Sequence, residues 1–433
     1  MADDDLATLG TTAEAPQTPR TPGGEPLDRG PAPVPVPRWL GAVLTVGLVL
    51  AALNLRPAIT SLGALMEEVR DGLGMSGTVA GLLTSVPALC FAVFGIAAPR
   101  LARRFGAGTI VCAGMAAIAV GVVVRPFAGG TAGFLAASAL ALAGIAVSNI
   151  LLPVVIKTFF PDRVGSMTGL YSMALALGTS LAAALTVPVT GALGGGWQAG
   201  LAVWAVLGVL AVVPWLAVLR HRAPQAAPAA AGAPQEDAPA VRISRSPTAW
   251  ALAVFFGLQA TAAYITMGWL PQIFRDSGVP AGTAGVLLAL TMAMGIPLSF
   301  VLPRLAARMR HQGLLAVLLG TCGLVGYAGL WLAPAAGAWG WALLLGISNC
   351  AFPLALTMIG MRARSAAGVV KLSAFAQCIG YLISIPGPLL VGTLYQHSGG
   401  WGLPIALMAG LMVPQIAVGV LAGRDRRIED EGR

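Results

Sequence analysis

Charge is scarce in this 433-residue chain: charged residues make up 10% of it, where soluble globular domains carry roughly a quarter. There are two lysines, Lys157 and Lys371, and three histidines, His221, His311 and His397, the histidines all outside the long apolar runs. No Asp or Glu lies in the core of an apolar run, which leaves no paired carboxylates for hydrolysis and no intramembrane acid for a proton relay. The five cysteines (Cys90, Cys112, Cys322, Cys350, Cys378) stand far apart, so neither a zinc-type spacing nor a disulfide framework is read from them. No phosphate-binding loop of the GxxxxGK[ST] type occurs, so direct ATP drive is unsupported. No cofactor and no metal are expected, and the chain does not read as an enzyme.

What fills the chain instead is apolar sequence, 57% of residues with a mean hydropathy of +0.82. Twelve runs, at about 39-66, 77-98, 107-125, 131-156, 165-190, 198-219, 249-274, 282-303, 313-333, 338-361, 371-394 and 402-422, are each long enough to cross about 30 Å of hydrocarbon as a helix. The expected fold class is therefore all-α integral membrane. Residues 1-37, rich in Pro, Gly and Thr, read as a disordered tail with no cleavable signal. Residues 221-247 read as a flexible linker between six-helix bundles at 38-220 and 248-422, and 423-433 as a second tail. Of the 26 basic residues, 22 fall on the side of the tails and linker, including Arg100, Arg103, Arg104, Arg304, Arg308, Arg362 and Arg364. By the positive-inside rule both termini are expected to be cytoplasmic, and the basic clusters mark topology rather than a nucleic-acid surface.

The halves repeat. Pro99-Arg100-Leu101 recurs as Pro303-Arg304-Leu305, Ser148-Asn149 with Pro153 as Ser348-Asn349 with Pro353, and Gly195-Gly196-Trp197 as Gly399-Gly400-Trp401, at offsets of 200 to 204 residues. An even number of runs per half gives two parallel repeats, an architecture that places a solute site near the midplane between them.

The side chains that could serve such a site are few. Arg56, in Asn54-Leu55-Arg56-Pro57, sits deep in the first run, where an unpaired cation is expected to face a cavity rather than lipid; snorkelling to the headgroups is the alternative. Pro57, Pro153 and Pro353 are expected to kink their helices. Asn149 and Asn349 occupy equivalent places in the repeats, and Gln259, Tyr264, Gln377 and Tyr381 add neutral donors, each readable as cavity lining or as interhelical bonding. Gly178, Gly295 and Gly380 are expected at close helix contacts. Arg125, at the end of the third run, reads as an interfacial anchor or as an anion-recruiting group.

These motifs resemble the major facilitator superfamily, and within it the cyanate and 2-nitroimidazole transporter (CynX/NimT) branch. The resemblance rests on Asn54 to Pro57, Trp269-Leu270-Pro271, Ser373 to Gln377 with Gly380-Tyr381, and Gly387-Pro388. The superfamily's loop motif is matched by Gly95, Arg100, Arg103 and Arg104, while Pro99 and Ala102 depart from it, and Gln198 stands where the branch has arginine. The resemblance implies the twelve-helix major facilitator fold, alternating access, a gating loop at Gly95 to Arg104 and a monomer in the bacterial inner membrane. The expected partners are the lipid bilayer, a small-molecule substrate and a coupling ion left unidentified. A small anionic or polar solute with Arg56 as counter-charge is the first reading; export of drugs or other organic compounds, with Arg56 structural, is the second.

Overall fold

In hydrocarbon a peptide group finds no water, so each apolar run must satisfy its own backbone, and the helix does this locally. The computed structural model describes residues 38–220 and 243–431, so the expected tail at 1-37 and most of the expected linker (221–242) lie outside the described residues. Among the described residues there is no strand. Twelve helices are long and apolar enough to cross a membrane: Trp39–Ala64, Gly77–Phe105, Ala107–Phe127, Thr131–Phe159, Pro161–Ala192, Trp197–Arg220, Pro247–Asp276, Ala281–Arg308, Gly313–Leu332, Ala338–Met361, Gly368–Ser398 and Gly402–Ala422. They are called the first to the twelfth helix below.

The helices outrun the apolar runs where arginines follow. Gly95, Arg100, Arg103 and Arg104, expected in a gating loop, are helical, because Pro99 removes one donor without ending the second helix. Arginine stems carry that helix on past the apolar layer, with basic residues in its last turn, where the helix dipole favours them. The connection to the third helix is Gly106 alone, at φ 85°. The eighth helix likewise continues through Pro303 to Arg308. These ends, with Lys157 and Arg163, make one face of the bundle basic; Glu67, Glu68 and Asp276 belong to the opposite face.

Five of the twelve helices are interrupted: the first at Leu55-Arg56, the sixth at Val203-Trp204, the eighth at Met294, the tenth at Cys350 and the eleventh at Ile385. Pro57 does more than kink the first helix. It has no N–H to offer and its ring pushes the preceding residue out of helical conformation, so Arg56 takes φ −120° and Pro57 opens a new segment, Pro57–Ala64, at its first position. Arg56 becomes the N-cap residue of that segment, its carbonyl accepting from the amides of Ile59 and Thr60. Pro353 follows a break at Cys350, whereas Pro153 sits inside an uninterrupted fourth helix.

Small residues set the packing of the break. A Cβ on Gly178 would lie 2.1 Å from the Leu53 carbonyl oxygen, so the fifth helix can press on the first only as glycine. Gly380 is similarly tight against Phe256, while a Cβ on Gly295 would meet nothing within 4 Å. Gly295 is therefore not a packing glycine; it borders open space beside the break at Met294.

The segment after the twelfth helix turns back and ends in a short helix, Ile428–Glu431. The Glu431 carboxylate accepts from Ser246 Oγ (2.6 Å), Thr248 Oγ1 (2.7 Å) and the Thr248 amide (3.1 Å), capping the seventh helix from outside it. Burial pushes this carboxyl's pKa up, but the bonds from Ser246 and Thr248, with Arg426 nearby, hold it below the usual value. Glu431→Gln is expected to lower stability by about 1 kcal/mol at neutral pH. Because the folded-state pKa is the lower one, the deficit should be full above about pH 4.5 and shrink as pH falls through the folded value. Thermal unfolding of the two proteins from pH 8 down to pH 3 checks both.

Candidate functional site

A cavity of about 470 Å³ lies between the first, fifth, seventh, eighth, tenth and eleventh helices. Arg56, Tyr264, Asn349 and Tyr381 are on its wall at the level of the helix breaks. Three interruptions border it, at Arg56, at Gly295 and at Cys350. Irregular backbone at membrane depth is tolerated where it lines such a space, and here the breaks and the cavity coincide. Towards the basic face the wall continues through Thr168, Ser172, Ser299 and Thr357.

Arg56 is half-buried, and among the described residues no carboxylate lies within 4.0 Å of it. Its nearest electrostatic neighbours are phenols: Tyr264, within side-chain hydrogen-bonding reach, with Tyr171 and Tyr381. Tyr381 is held by stacking on Phe91 (centroids 4.8 Å) and by an edge contact with Phe256 (5.1 Å). The N-terminus of segment Pro57–Ala64 adds its partial positive charge at the same place.

The other expected donors are off this wall. Gln259 is buried and ties three helices: its Nε2 donates to Asn349 Oδ1 (2.8 Å) and to the Asn349 carbonyl (3.0 Å), and its Oε1 accepts from Gln415 Nε2 (2.9 Å). That carbonyl closes a helical segment and would otherwise lack a donor, so Gln259 holds the break in place. Asn149 Oδ1 accepts from Tyr171 Oη at 3.3 Å and is not among the residues that line the cavity. Buried Asn54 points to Met115 Sδ at 3.7 Å, and Gln377 donates to Ser373 Oγ in its own helix. The polar edge of the fifth helix, Thr168, Ser172 and Thr179, is absent from the expected set. Its spacing of four and seven residues puts all three on one helical face, a signal present in the sequence.

Arg125 is not an interfacial anchor. Only 2% exposed, it turns into the bundle and donates to the Ala58 carbonyl (2.8 Å) and to Ser61 Oγ (3.4 Å), with its guanidinium 5.9 Å from the Phe134 ring centroid. The short turn Arg125–Phe127, set by Pro126, ends the third helix and directs this side chain inwards. Arg56 is thus joined by Arg125 as a cation turned into the bundle from within a span.

At the opposite face the bundle is shut. Arg275 at the end of the seventh helix pairs with Glu68 (2.9 Å) and Glu67 (2.8 Å) beyond the first. Asp276 accepts from Tyr395 Oη (2.9 Å) and Trp401 Nε1 (2.8 Å), and Gln396 Oε1 accepts from Thr78. Beneath this layer backbones touch: a Cβ on Gly63 would lie 2.0 Å from the Met267 carbonyl oxygen, and one on Gly392 2.3 Å from that of Gly77.

The sequence profile of the Major Facilitator Superfamily matches residues 44–385. An uncharacterized transporter YycB of Bacillus subtilis is 35% identical over 89% of this chain and 94% of its own. A 2-nitroimidazole transporter of Escherichia coli is 33% identical over 89% and 96%, and the cyanate transport protein CynX of the same organism 32% identical over 84% and 94%. Among solved structures, a bacterial homologue of the lysosomal transporter Spinster, in an inward-facing, occupied conformation, covers 90% of this chain and 96% of its own at a TM-score of 0.69 and 15% identity, which speaks for the fold alone. With twelve membrane-crossing helices and relatives that are transporters rather than enzymes, the chain belongs to the major facilitator superfamily, in its cyanate and 2-nitroimidazole transporter branch.

Proposed function

We propose that this protein moves a small anionic or polar solute across the cytoplasmic membrane by alternating access, with Arg56 as the solute's counter-charge. The observation that carries this reading is a half-buried guanidinium on the wall of a 470 Å³ cavity with no carboxylate beside it among the described residues. A cation so placed favours an anion, and the helix N-terminus at Pro57 favours the same charge. Tyr264, Tyr381 and Asn349 supply neutral partners around it. A relative named for cyanate fits a solute of this kind; one named for 2-nitroimidazole, together with the aromatic wall of Tyr381 and Phe352, favours the second reading, export of neutral organic compounds.

By the positive-inside rule the basic face is cytoplasmic, which makes this an inward-open arrangement with both termini inside. The Arg275 pairs, the Asp276 contacts and the glycine approaches would then be the outer closure that separates when the cavity faces out. The six-helix halves at 38-220 and 248-422 are the bodies that rock, in a protein that works as a monomer. The coupling ion stays open.

In proteoliposomes, Arg56→Ala that is folded and inserted is expected to lower kcat/KM for the transported anion at least tenfold, about 1.4 kcal/mol, with Arg56→Lys recovering part of it. Wild-type uptake by Arg56→Ala would sink the counter-charge reading. Gly63→Val would force the first and seventh helices apart. A spin-label pair at positions 78 and 396 is expected to report a longer separation in that variant, and an unchanged distance would remove these glycines from the closure.

A further inference from the structure

A second, smaller cavity of about 20 Å³ lies on the other side of Tyr264, which borders both spaces. It is walled by the second segment of the first helix and by parts of the second, third, fourth and seventh helices, and it has room for one water-sized particle. Two polar atoms on its lining residues have no partner, Arg125 Nε and Ser138 Oγ. Both residues are almost fully buried, 2% and 1% exposed. Serine hydroxyls in helices commonly return to the carbonyl four residues back, as those of Ser85 and Ser299 do. Ser138 does not, and its buried hydroxyl is left without a partner on a residue that lines the cavity.

The charge there is uncompensated. Arg125 has a carbonyl, a serine oxygen and a ring face, and among the described residues no carboxylate within 4.0 Å. A buried cation with dipoles alone is held at a cost of several kcal/mol that one anion would offset. Thr84, whose hydroxyl is also on the wall, already donates within its own helix, and Tyr264 borders both cavities, so the buried donors left without a partner are the guanidinium Nε and Ser138. Donors without an acceptor, beside a cation without a counter-charge and in a space the size of a single small particle, favour an occupant that accepts and carries the missing charge.

We propose that this cavity holds one monatomic monovalent anion of chloride size, bound by Arg125 and Ser138 and occluded beneath the closure at the opposite face. The site is separate from the solute cavity and stands whichever solute Arg56 meets. It would fix the second segment of the first helix against the third and fourth, since Arg125 already bridges to Ala58 and Ser61.

The test is thermal unfolding of purified protein, titrated with sodium chloride against sodium gluconate at constant ionic strength, gluconate being far too large for the cavity. A saturable chloride-dependent rise in melting temperature is expected in wild type and in Arg56→Gln. Ser138→Ala should weaken the apparent affinity about tenfold, and Arg125→Gln should abolish the chloride dependence. A wild-type protein indifferent to chloride would mean that the space holds water, and would overturn the proposal. So would a chloride response of undiminished affinity in Ser138→Ala, the variant that decides if Arg125→Gln does not fold. Loss of the response in Arg56→Gln with retention in Arg125→Gln would assign the anion to the solute cavity and overturn it as well.

Discussion

Around one missing backbone donor, that of Pro57, the centre of the molecule is arranged. Without that N–H the first helix cannot run through, and the chain at Leu55-Arg56 leaves helical conformation at membrane depth. In lipid such a defect is prohibitive, and it persists because protein surrounds it on one side and a cavity on the other. The same stop hands Arg56 the N-cap position of the next segment, so a side-chain cation and a backbone partial charge point to one place. The tenth helix meets the equivalent difficulty at Cys350 by different means, borrowing the Gln259 amide for the Asn349 carbonyl.

The two ends of the cavity differ in kind. At the shut face, contact is made by glycine against backbone, at Gly63, Gly77 and Gly392, beneath an ionic layer centred on Arg275 and Asp276. Glycine contacts lose little when they part, since no interdigitated side chains need repacking, and the ionic layer is partly solvated already, where pairs contribute modestly. At the other end the walls are hydroxyls on the fifth, eighth and tenth helices, Thr168, Ser299 and Thr357 among them. A closure that is wide in area but shallow in energy suits the alternating access proposed above, in which it would be undone in each cycle.

The twelve crossings were legible because hydrophobic length along the chain is a one-dimensional property, and so was the oddity of Arg56, a cation where none belongs. What the chain could not disclose is rotation about each helix axis. Asn54 and Gln377 are as polar as Asn349, yet they turn towards Met115 and Ser373 and away from the cavity. Arg125 sits near a helix end, where depth alone reads as interfacial, and Pro126 turns it inwards instead. The Gly95 to Arg104 motif reads as a loop from hydropathy, because arginine ends an apolar run without ending a helix. The polar face of the fifth helix was there to be found by its spacing; threonine and serine are simply quieter than arginine.

The cap supplied by Glu431 has a consequence for biogenesis. The hydroxyls and amide it satisfies, on Ser246 and Thr248, begin the seventh helix, and the carboxylate arrives 183 residues after Thr248. At about 5–20 residues per second of synthesis, that helix waits roughly 10 to 40 s for its partner. During that interval its first turn must be solvated by water and headgroups, so the second half cannot reach its final form before the segment around Glu431 has been made. Residues made long after the seventh helix thus complete its first turn.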